Sequence, residues 1–180
     1  KLHAKILRHG LLKRNSLLGT ALVDMYVKCG SLEKAQDVFD RIPARDVILW
    51  TALIGGYAQH GLSEQALKHF KEMQDVGIVP DAVTYMCALK ACGLVGSLEV
   101  GEHIDAKVTK QGLLKKDVVL GTALMDMYFK CGEIDKAREM FEQLPERDVV
   151  SWSALIAGYA QNGLGDEALQ CFRQMRVAGV

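Results

Sequence analysis

The sequence has no surplus of charge, few prolines and no long apolar run, and each shortage excludes a class of protein. Its 22 Lys and Arg residues balance 22 Asp and Glu residues. Nonspecific binding of duplex phosphate needs an excess of positive charge and is therefore not indicated. Binding of single strands stays open, because base stacking can carry much of that affinity. No apolar run approaches the roughly 18 residues of a membrane span, so no membrane partner is expected.

Paired cysteines are also lacking. The five cysteines are Cys29, Cys87, Cys92, Cys131 and Cys171. They form no C-x-x-C pair and no Cys/His cluster with zinc spacing, so neither a metal nor another cofactor is expected. Their odd number, without a signal peptide, fits a reducing compartment. Cys29 and Cys131 are expected to be small buried side chains. His60 and His69 have no partner cysteine or carboxylate pattern and are expected at the surface. The sequence indicates no enzyme.

Internal repetition is the strongest feature that the sequence does have. "GTALVDMYVKCG" at residues 19–30 returns as "GTALMDMYFKCG" at residues 121–132, with ten of twelve letters equal at a distance of 102 residues. Within that distance runs a finer rhythm, because similar pieces begin at residues 21, 52, 87, 123 and 154. Their starts are separated by 31, 35, 36 and 31 residues. Periods between about 20 and 50 residues indicate a solenoid.

Each unit has the pattern of two helices. The first carries apolar residues at helical spacing, such as Leu49, Leu53 and Tyr57, and the second places Ala66 and Phe70 on one face. A glycine stands between them, where a helix C′ residue takes a left-handed conformation. These glycines are Gly30, Gly61, Gly96, Gly132 and Gly163. Because neither helix can bury its apolar stripe alone, we predict an all-α, right-handed superhelical solenoid of stacked helix-turn-helix repeats.

Two families of helical hairpins share this outline. Tetratricopeptide repeats keep a uniform period near 34 residues, whereas here the period changes in a fixed order. The sequence resembles the pentatricopeptide repeat (PPR) family, in particular its PLS class, in which long, short and standard motifs alternate. "ALVDMYVKCGSLEKAQDVFDRIPARDV" (21–47) resembles a short motif, and "WTALIGGYAQHGLSEQALKHFKEMQDVGIVPD" (50–81) a standard motif. "VTYMCALKACGLVGSLEVGEHIDAKVTKQG" (83–112) resembles a long motif, and "IPARDV" and "LPERDV" are typical endings of short motifs.

The resemblance assigns a register to the whole chain. It gives a partial long motif at 1–15, a short motif at 16–46, a standard motif at 47–81, a long motif at 82–117, a short motif at 118–148 and a standard motif cut short at 149–180. The sequence thus opens and closes within a motif. We therefore expect a piece of a longer array.

The family resemblance implies binding of single-stranded RNA at one base per repeat. In such motifs the second residue packs between neighbouring bases. The predicted base-sandwiching residues are Leu17, Ile48, Val83, Val119 and Val150. All five are apolar, and they could equally be hydrophobic staples that close each hairpin onto the next.

The fifth and last residues of each motif are implied to meet the base edge. The fifth residues are Thr20, Thr51, Met86, Thr122 and Ser153, and the last residues are Asn15, Asp46, Asp81, Asp117 and Asp148. Small hydroxyl residues could instead serve only close helix packing. Asn and Asp immediately before a helix could serve as N-caps. Because Met86 lies in a long motif, where the code is least dependable, that repeat is assigned no base.

Lys28 and Lys130 occupy matching places near the end of a first helix in the two short motifs. Contact with RNA phosphate is implied by the family. A favourable interaction with the helix dipole explains the two lysines equally well.

Three functions follow from these patterns. The leading one is the specificity module of an organelle factor for C-to-U RNA editing or RNA processing, in a mitochondrion or chloroplast, with 5′-G-G-N-G-purine as the expected target and an editing-complex protein as a second partner. The alternative is a protein-interaction scaffold that uses the apolar Met86, Cys87 and Cys92. An enzyme would need a cytidine deaminase domain beyond Val180, because its H-x-E and P-C-x-x-C signature is absent here.

Overall fold

The computed structural model describes residues 16–115 and 117–180, which form ten α-helices and one short 3₁₀ turn at Leu113–Lys115. The helices are α1 Ser16–Lys28, α2 Leu32–Asp40, α3 Val47–Gln59, α4 Ser63–Asp75, α5 Ala82–Val95, α6 Leu98–Lys110, α7 Val118–Lys130, α8 Ile134–Gln143, α9 Val149–Gln161 and α10 Gly165–Val177. No strand occurs in these two ranges, so the all-α prediction is confirmed. The predicted partial motif at 1–15, with Asn15, lies outside the described residues.

Glycine turns close the hairpins as predicted. The five predicted cap glycines have φ between +68° and +80°, a left-handed conformation that residues with a Cβ rarely adopt. At Gly61 the following N–H of Leu62 donates to the carbonyl of Tyr57 at 2.9 Å, which is the long hydrogen bond of a Schellman cap. Consecutive helices can therefore fold back on each other, and α1 packs on α2, α3 on α4, α7 on α8 and α9 on α10.

The chain divides into two compact units, and the boundary falls after Ala91 within α5. In the first unit α3 packs on both α1 and α2, and in the second unit α9 packs on both α7 and α8. Each unit therefore contains two helical hairpins stacked on each other. The same pair of hairpins thus occurs once in each unit. The observed fold class is an all-α solenoid of stacked helical hairpins.

Two glycines allow the first helices to approach closely inside each unit. A Cβ at Gly56 would lie 2.5 Å from Cγ2 of Val27, and a Cβ at Gly158 would lie 2.1 Å from Cδ2 of Phe129. These distances are shorter than any carbon–carbon packing contact. The two pairs are equivalent across the 102-residue repeat. Glycine at this position is thus required by the stacking of α3 on α1 and of α9 on α7.

Aromatic side chains fill the junction between α2 and α3. Phe39 and Trp50 meet edge to face with ring centroids 4.7 Å apart, and the guanidinium of Arg45 lies 4.6 Å from the Phe39 centroid. Arg45 also donates from Nε to the carbonyl oxygen of Phe39 at 3.2 Å. These contacts hold the "IPARD" loop against the end of α2, and so place Asp46 at the start of α3.

Two expectations about single residues were wrong. His69 is only 8% exposed, because its imidazole stacks on Tyr57 within the aromatic cluster rather than facing solvent. Cys29 is exposed and Cys131 is half-buried, since both follow the last turn of a first helix, beyond the packed face. Among the described helices, none is long and apolar enough to cross a membrane.

Candidate nucleic-acid interface

Aspartates cap the beginnings of the first helices. Oδ1 of Asp46 accepts from the N–H of Leu49 at 2.9 Å, and Oδ1 of Asp148 accepts from the N–H of Ser151 at 2.8 Å. Asp117 Oδ1 accepts from the N–H of Val119 at 3.0 Å and of Leu120 at 3.2 Å. These bonds satisfy N–H groups that have no partner inside the helix. The capping role considered for these residues is therefore present in the structure.

The cap lowers the pKa of the Asp148 carboxyl below its usual value, chiefly through the hydrogen bond from the Ser151 N–H. The carboxylate therefore stays ionised at neutral pH. Since the folded-state pKa is depressed, the stability that the cap contributes is present above the ordinary pKa and is lost as the pH falls through the lowered one. A charged acceptor is thus available at this helix start under physiological conditions.

The cap at Asp81 is connected through Thr84 to Thr51, which belongs to the same predicted motif as Asp81. Oδ1 of Asp81 accepts from the N–H of Thr84 at 2.8 Å and from its Oγ1 at 2.7 Å. Oγ1 of Thr84 lies 2.6 Å from Oγ1 of Thr51. An ionised carboxylate can only accept, so the hydroxyl proton of Thr84 goes to Asp81 and Thr51 must donate to Thr84. Thr84 therefore joins Thr51 and Asp81, the two residues predicted to read one base.

Sequence reasoning missed this bridging role of Thr84. The Thr84 side chain is fully buried. Thr84 is the third residue of the following predicted motif, 82–117, and so lies outside the motif that is predicted to read the base. A local signal was available, because Thr84 stands three residues after an N-cap aspartate in "DAVT", the spacing of a side chain that reaches back to its cap. The contact with Thr51, 33 residues away, had no such signal.

The five predicted base-sandwiching residues are all exposed. They are Leu17 at 77%, Ile48 at 60%, Val83 at 50%, Val119 at 58% and Val150 at 56%. A hydrophobic staple would be covered by the residue against which it packs. Each of these five first helices therefore exposes an apolar group at its second residue. We call these five residues the apolar row, after their recurrence along the sequence.

The predicted fifth residues differ in their surroundings. Thr20, Thr51 and Thr122 are half-buried, as is Met86, and Ser153 is exposed. Thr122 donates from Oγ1 to the carbonyl oxygen of Val118 at 3.0 Å. Like Thr51, Thr122 has its proton engaged inside the protein, so each of the two hydroxyls can offer only lone pairs to a ligand.

Neighbouring aspartates hold both predicted phosphate-binding lysines. Nζ of Lys28 lies 2.7 Å from Oδ2 of Asp24, and Nζ of Lys130 lies 2.6 Å from Oδ2 of Asp126. Each pair spans one helical turn. The side chains of the first pair are 72% and 50% exposed and those of the second 33% and 46%, so water reaches both pairs and the pairing itself contributes little stability. A phosphate would have to compete with a carboxylate for each ammonium group.

The residues suggested for a protein scaffold are less accessible. Cys92 is fully buried, and burial raises the pKa of its thiol to about 12. Met86 and Cys87 are half-buried. Cys92 therefore belongs to the packed interior rather than to a docking surface.

These observations define the chain as a helical-repeat protein. Its stacked two-helix units begin with a capping aspartate, followed by an exposed apolar side chain in the first turn of the first helix. The PPR repeat matches residues 20–47, 122–149 and 150–180, and the PPR repeat family matches residues 45–93. The chain belongs to the pentatricopeptide repeat family.

Relatives from Arabidopsis thaliana carry the same repeats. The chain is 43% identical over 142 residues to a putative pentatricopeptide repeat-containing protein described as mitochondrial, covering 79% of this chain and 23% of the relative. It is 40% identical over 146 residues to a chloroplastic pentatricopeptide repeat-containing protein, covering 81% of this chain and 23% of the relative. The chain spans between 14% and 29% of the length of these relatives and others like them.

Solved structures share the fold. The pentatricopeptide repeat protein PPR10 from maize superposes with a TM-score of 0.72 at 23% identity, covering 89% of this chain and 24% of PPR10. PPR10 in complex with an 18-nt psaJ RNA element superposes with a TM-score of 0.75 at 20% identity, covering 90% of this chain and 25% of that one. At this level of identity the likeness shows a common helical-repeat fold.

Proposed function

We propose that the chain binds single-stranded RNA along the beginnings of its first helices, at one base per repeat. Membership of the pentatricopeptide repeat family supports this function, and the maize relative of the same fold is described in complex with an 18-nt RNA. One observation carries the proposal for this chain. It is the row of five exposed apolar side chains, each 50–77% exposed, at the second residue of every predicted motif that the structure describes.

Folding does not require an apolar side chain at these exposed helix starts, because a polar residue would be tolerated there at little cost. Their recurrence at one place in five repeats favours a ligand that covers them. A base offers a flat apolar face of the right kind, and stacking of bases on protein side chains contributes about 1–3 kcal/mol per base on aromatic residues. An aliphatic side chain between two bases would contribute at or below the lower end of that range.

The hydrogen-bonding groups beside this row favour guanine. At Thr51 and Asp81 the protein offers a carboxylate and a hydroxyl whose proton is engaged with Thr84, so the outward groups are acceptors. Guanine presents N–H donors at N1 and N2 on its pairing edge, which suits acceptors. The same two residue types, threonine and aspartate, occur in the pairs Thr20 with Asp46 and Thr122 with Asp148.

The expected target is therefore 5′-G-G-N-G-purine, with the RNA running parallel to the chain, as the family resemblance implies. Ser153 is assigned the terminal purine, and Met86 with Asp117 is assigned no base. As a specificity module of this kind, the chain would serve an organelle factor for C-to-U editing or RNA processing. The deaminating chemistry would come from another segment or from an editing-complex protein. Mitochondrial and chloroplastic relatives support a mitochondrion or chloroplast as the location.

A pair of matched double variants tests the proposal. Val83→Thr with Val150→Thr removes methyl groups from the apolar row, at side chains 50% and 56% exposed. Val76→Thr with Val177→Thr makes the same change at side chains 63% and 89% exposed outside the row. We expect the first variant to weaken binding of a 5′-GGUGG oligomer roughly threefold to tenfold. The control variant should bind like the parent.

Fluorescence anisotropy titrations of labelled oligomers measure both affinities, and circular dichroism verifies folding. The parent should prefer 5′-GGUGG over an all-U oligomer of equal length. Equal affinity for the two oligomers would contradict the proposed base reading. Equal effects of the two double variants would contradict the role of the apolar row.

A further inference from the structure

Two hydrogen bonds in series run from Thr51 through the hydroxyl of Thr84 to Asp81. Oγ1 of Thr84 lies 2.6 Å from Oγ1 of Thr51 and 2.7 Å from Oδ1 of Asp81. Thr51 is half-buried and Asp81 is exposed, whereas Thr84 is 0% exposed. Thr84 therefore has no surface with which to touch a base. It nevertheless contacts both residues that are predicted to read the second base of the RNA.

The carboxylate at one end of this series fixes the direction of both hydroxyl protons. A carboxylate can only accept, so the proton of Thr84 points to Asp81. Because a hydroxyl has a single proton, Thr84 has only lone pairs left for Thr51. Thr51 must then donate its own proton inward, to Thr84. A buried side chain thus decides which kind of hydrogen bond Thr51 can make with a ligand.

Two neighbouring acceptors on the protein discriminate between the two purines. Guanine has N–H donors at N1 and N2 on its pairing edge, so both acceptors find a partner. Adenine has a donor at N6 but an acceptor at N1, which would face the lone pairs of Thr51 or Asp81. Polar atoms that lose water on binding and find no partner weaken the complex. Adenine is disfavoured because Thr84 takes the proton that its N1 needs.

The fold does not require a hydroxyl at the position of Thr84. Leu49 stands three residues after Asp46 and has no hydroxyl, yet its N–H donates to Oδ1 of Asp46 at 2.9 Å. The N–H of Thr84 makes the equivalent bond to Oδ1 of Asp81 at 2.8 Å. The backbone therefore supplies the cap in both places. The hydroxyl of Thr84 has a task other than capping the helix.

The matching place in the second unit has a hydroxyl with different partners. Ser151 is also 0% exposed, and it also stands three residues after a capping aspartate, Asp148. Its Oγ donates to the carbonyl oxygen of Asp148 at 3.0 Å. Thr122, which is paired with Asp148 in the predicted code, donates to the carbonyl oxygen of Val118. The helix backbone thus directs the proton of Thr122, whereas a side chain of the following motif directs that of Thr51.

We propose that Thr84 is a positioning residue for the second base, and that it makes this reader select guanine by turning the hydroxyl proton of Thr51 away from the RNA. The inference rests on the proposed binding of RNA and adds to it a residue outside the reading motif. Two residues of the reader, Thr51 and Asp81, meet the base. The third, Thr84, acts through them and belongs to the next motif along the chain.

The variant Thr84→Val removes the buried hydroxyl and replaces it by a methyl group of similar size. Thr51 then has no inward acceptor at residue 84, so its proton can reach N1 of adenine while Asp81 accepts from N6. We expect affinity for a 5′-GAUGG oligomer to rise about threefold to tenfold, the effect of one added hydrogen bond. Affinity for 5′-GGUGG should stay within about twofold of the parent value, because Thr51 keeps its lone pairs.

Two control variants separate this role from packing. Thr84→Ser keeps the hydroxyl and should keep the parent ratio of G to A affinities at the second base. Ser151→Ala removes an equally buried hydroxyl whose proton goes to the backbone. It should leave the ratio at the fourth base unchanged, as measured with 5′-GGUGG and 5′-GGUAG. Damaged packing weakens binding of every oligomer, so a gain for 5′-GAUGG alone has no explanation in packing.

The variant Thr51→Val tests the direction of the proton without touching the buried residue. If Thr51 offers only lone pairs, its loss should weaken binding of 5′-GGUGG and leave binding of 5′-GAUGG unchanged. This result keeps the test decisive if Thr84→Val fails to fold. Weaker binding of 5′-GAUGG to Thr51→Val would show that Thr51 donates to the base, and would overturn the inference.

Fluorescence anisotropy gives the affinities, and circular dichroism verifies that each variant is folded. A folded Thr84→Val that keeps the parent ratio of G to A affinities would overturn the role of Thr84 and leave the proposed RNA binding intact. A parent that binds 5′-GGUGG no better than an all-U oligomer would instead contradict the proposed function, and this inference with it.

Discussion

At the scale of the residue, one aspartate at each first-helix start can satisfy two demands. In Asp46, Asp81 and Asp148 the capping N–H groups of Leu49, Thr84 and Ser151 donate to Oδ1. A carboxylate has lone pairs on both oxygens, so capping does not consume its capacity to accept from a base. The cap also fixes the carboxylate in place, which lowers the entropy lost when a base binds. Capping and base reading are therefore compatible at these positions.

The substitution Asp81→Asn separates the two roles. Asn caps a helix about as well as Asp, and its side-chain oxygen can still accept from the N–H and hydroxyl of Thr84. The free energy of unfolding should thus change by less than about 0.5 kcal/mol. An amide offers both a donor and an acceptor, which suits the N6 donor and N1 acceptor of adenine. Preference at the second base should shift from G toward A.

The measurement is a pair of RNA titrations that differ only in the second base, with melting curves alongside. Asp81→Ala is a poorer test, because it loses the cap as well as the acceptor. An unchanged ratio of G to A affinities in Asp81→Asn would mean that Asp81 is a cap and reads no base.

At the scale of the element, glycines act in two physically different ways. Gly61 follows the C-terminal end of α3 and has a φ of +75°. A Cβ there would meet no atom within 4 Å, so the backbone conformation alone requires glycine. Gly158 lies inside α9 in an ordinary helical conformation, and there space alone requires glycine because of the Phe129 ring. The first role is local to one hairpin. The second sets how closely neighbouring first helices stack.

The variant Gly158→Ala tests the stacking role. The new Cβ would lie 2.1 Å from Cδ2 of Phe129, so the ring or the helix must move. We expect a loss of about 1–3 kcal/mol in the free energy of unfolding, which is typical of overpacking. Gly165→Ala is the matched control, since no atom lies within 4 Å of its Cβ and it stands at the start of α10.

Alanine favours a helix over glycine, so Gly165→Ala should be neutral or stabilising by up to about 1 kcal/mol. Urea unfolding monitored by circular dichroism measures both variants. Equal stability of Gly158→Ala and Gly165→Ala would show that α9 and α7 are not packed as closely as the structure places them.

At the scale of the whole molecule, the balance of charge limits how RNA can be bound. With 22 basic and 22 acidic residues, the chain cannot rely on a broad positive field. The two lysines assigned to phosphate are already paired with Asp24 and Asp126. Affinity should then depend mainly on stacking and base edges, and only weakly on salt.

We expect a plot of log affinity against log salt concentration with a slope no steeper than about −1.4, because each phosphate contact to a single strand contributes about −0.7. Lys28→Gln should flatten the slope by about 0.7 if its ammonium contacts phosphate. Lys68→Gln is the matched control, since Lys68 is also 72% exposed and paired one helical turn away, but lies on a second helix. Equal salt slopes for Lys28→Gln and Lys68→Gln would show that Lys28 binds no phosphate.

Much of the architecture could be predicted from the sequence because it depends on neighbours along the chain. The cap glycines, the aspartates before first helices and the beginnings of the first helices at residues 16, 47, 82, 118 and 149 agree with the structure. Helix hydrogen bonds join residues four apart, and caps act within three residues. The motif boundaries and the residue roles of the base code stay predictions.

Other features were decided only by the tertiary structure, because they depend on which helices pack against each other. His69 was expected at the surface, yet Tyr57 and its aromatic neighbours enclose it. The bond between Thr51 and Thr84 joins residues 33 apart in the sequence. The sequence by itself determined the repeat, its helices and their caps, because those arise from local hydrogen bonding and φ preferences. Burial and bridging contacts arise only when separate helices pack, so they became visible in the folded chain alone.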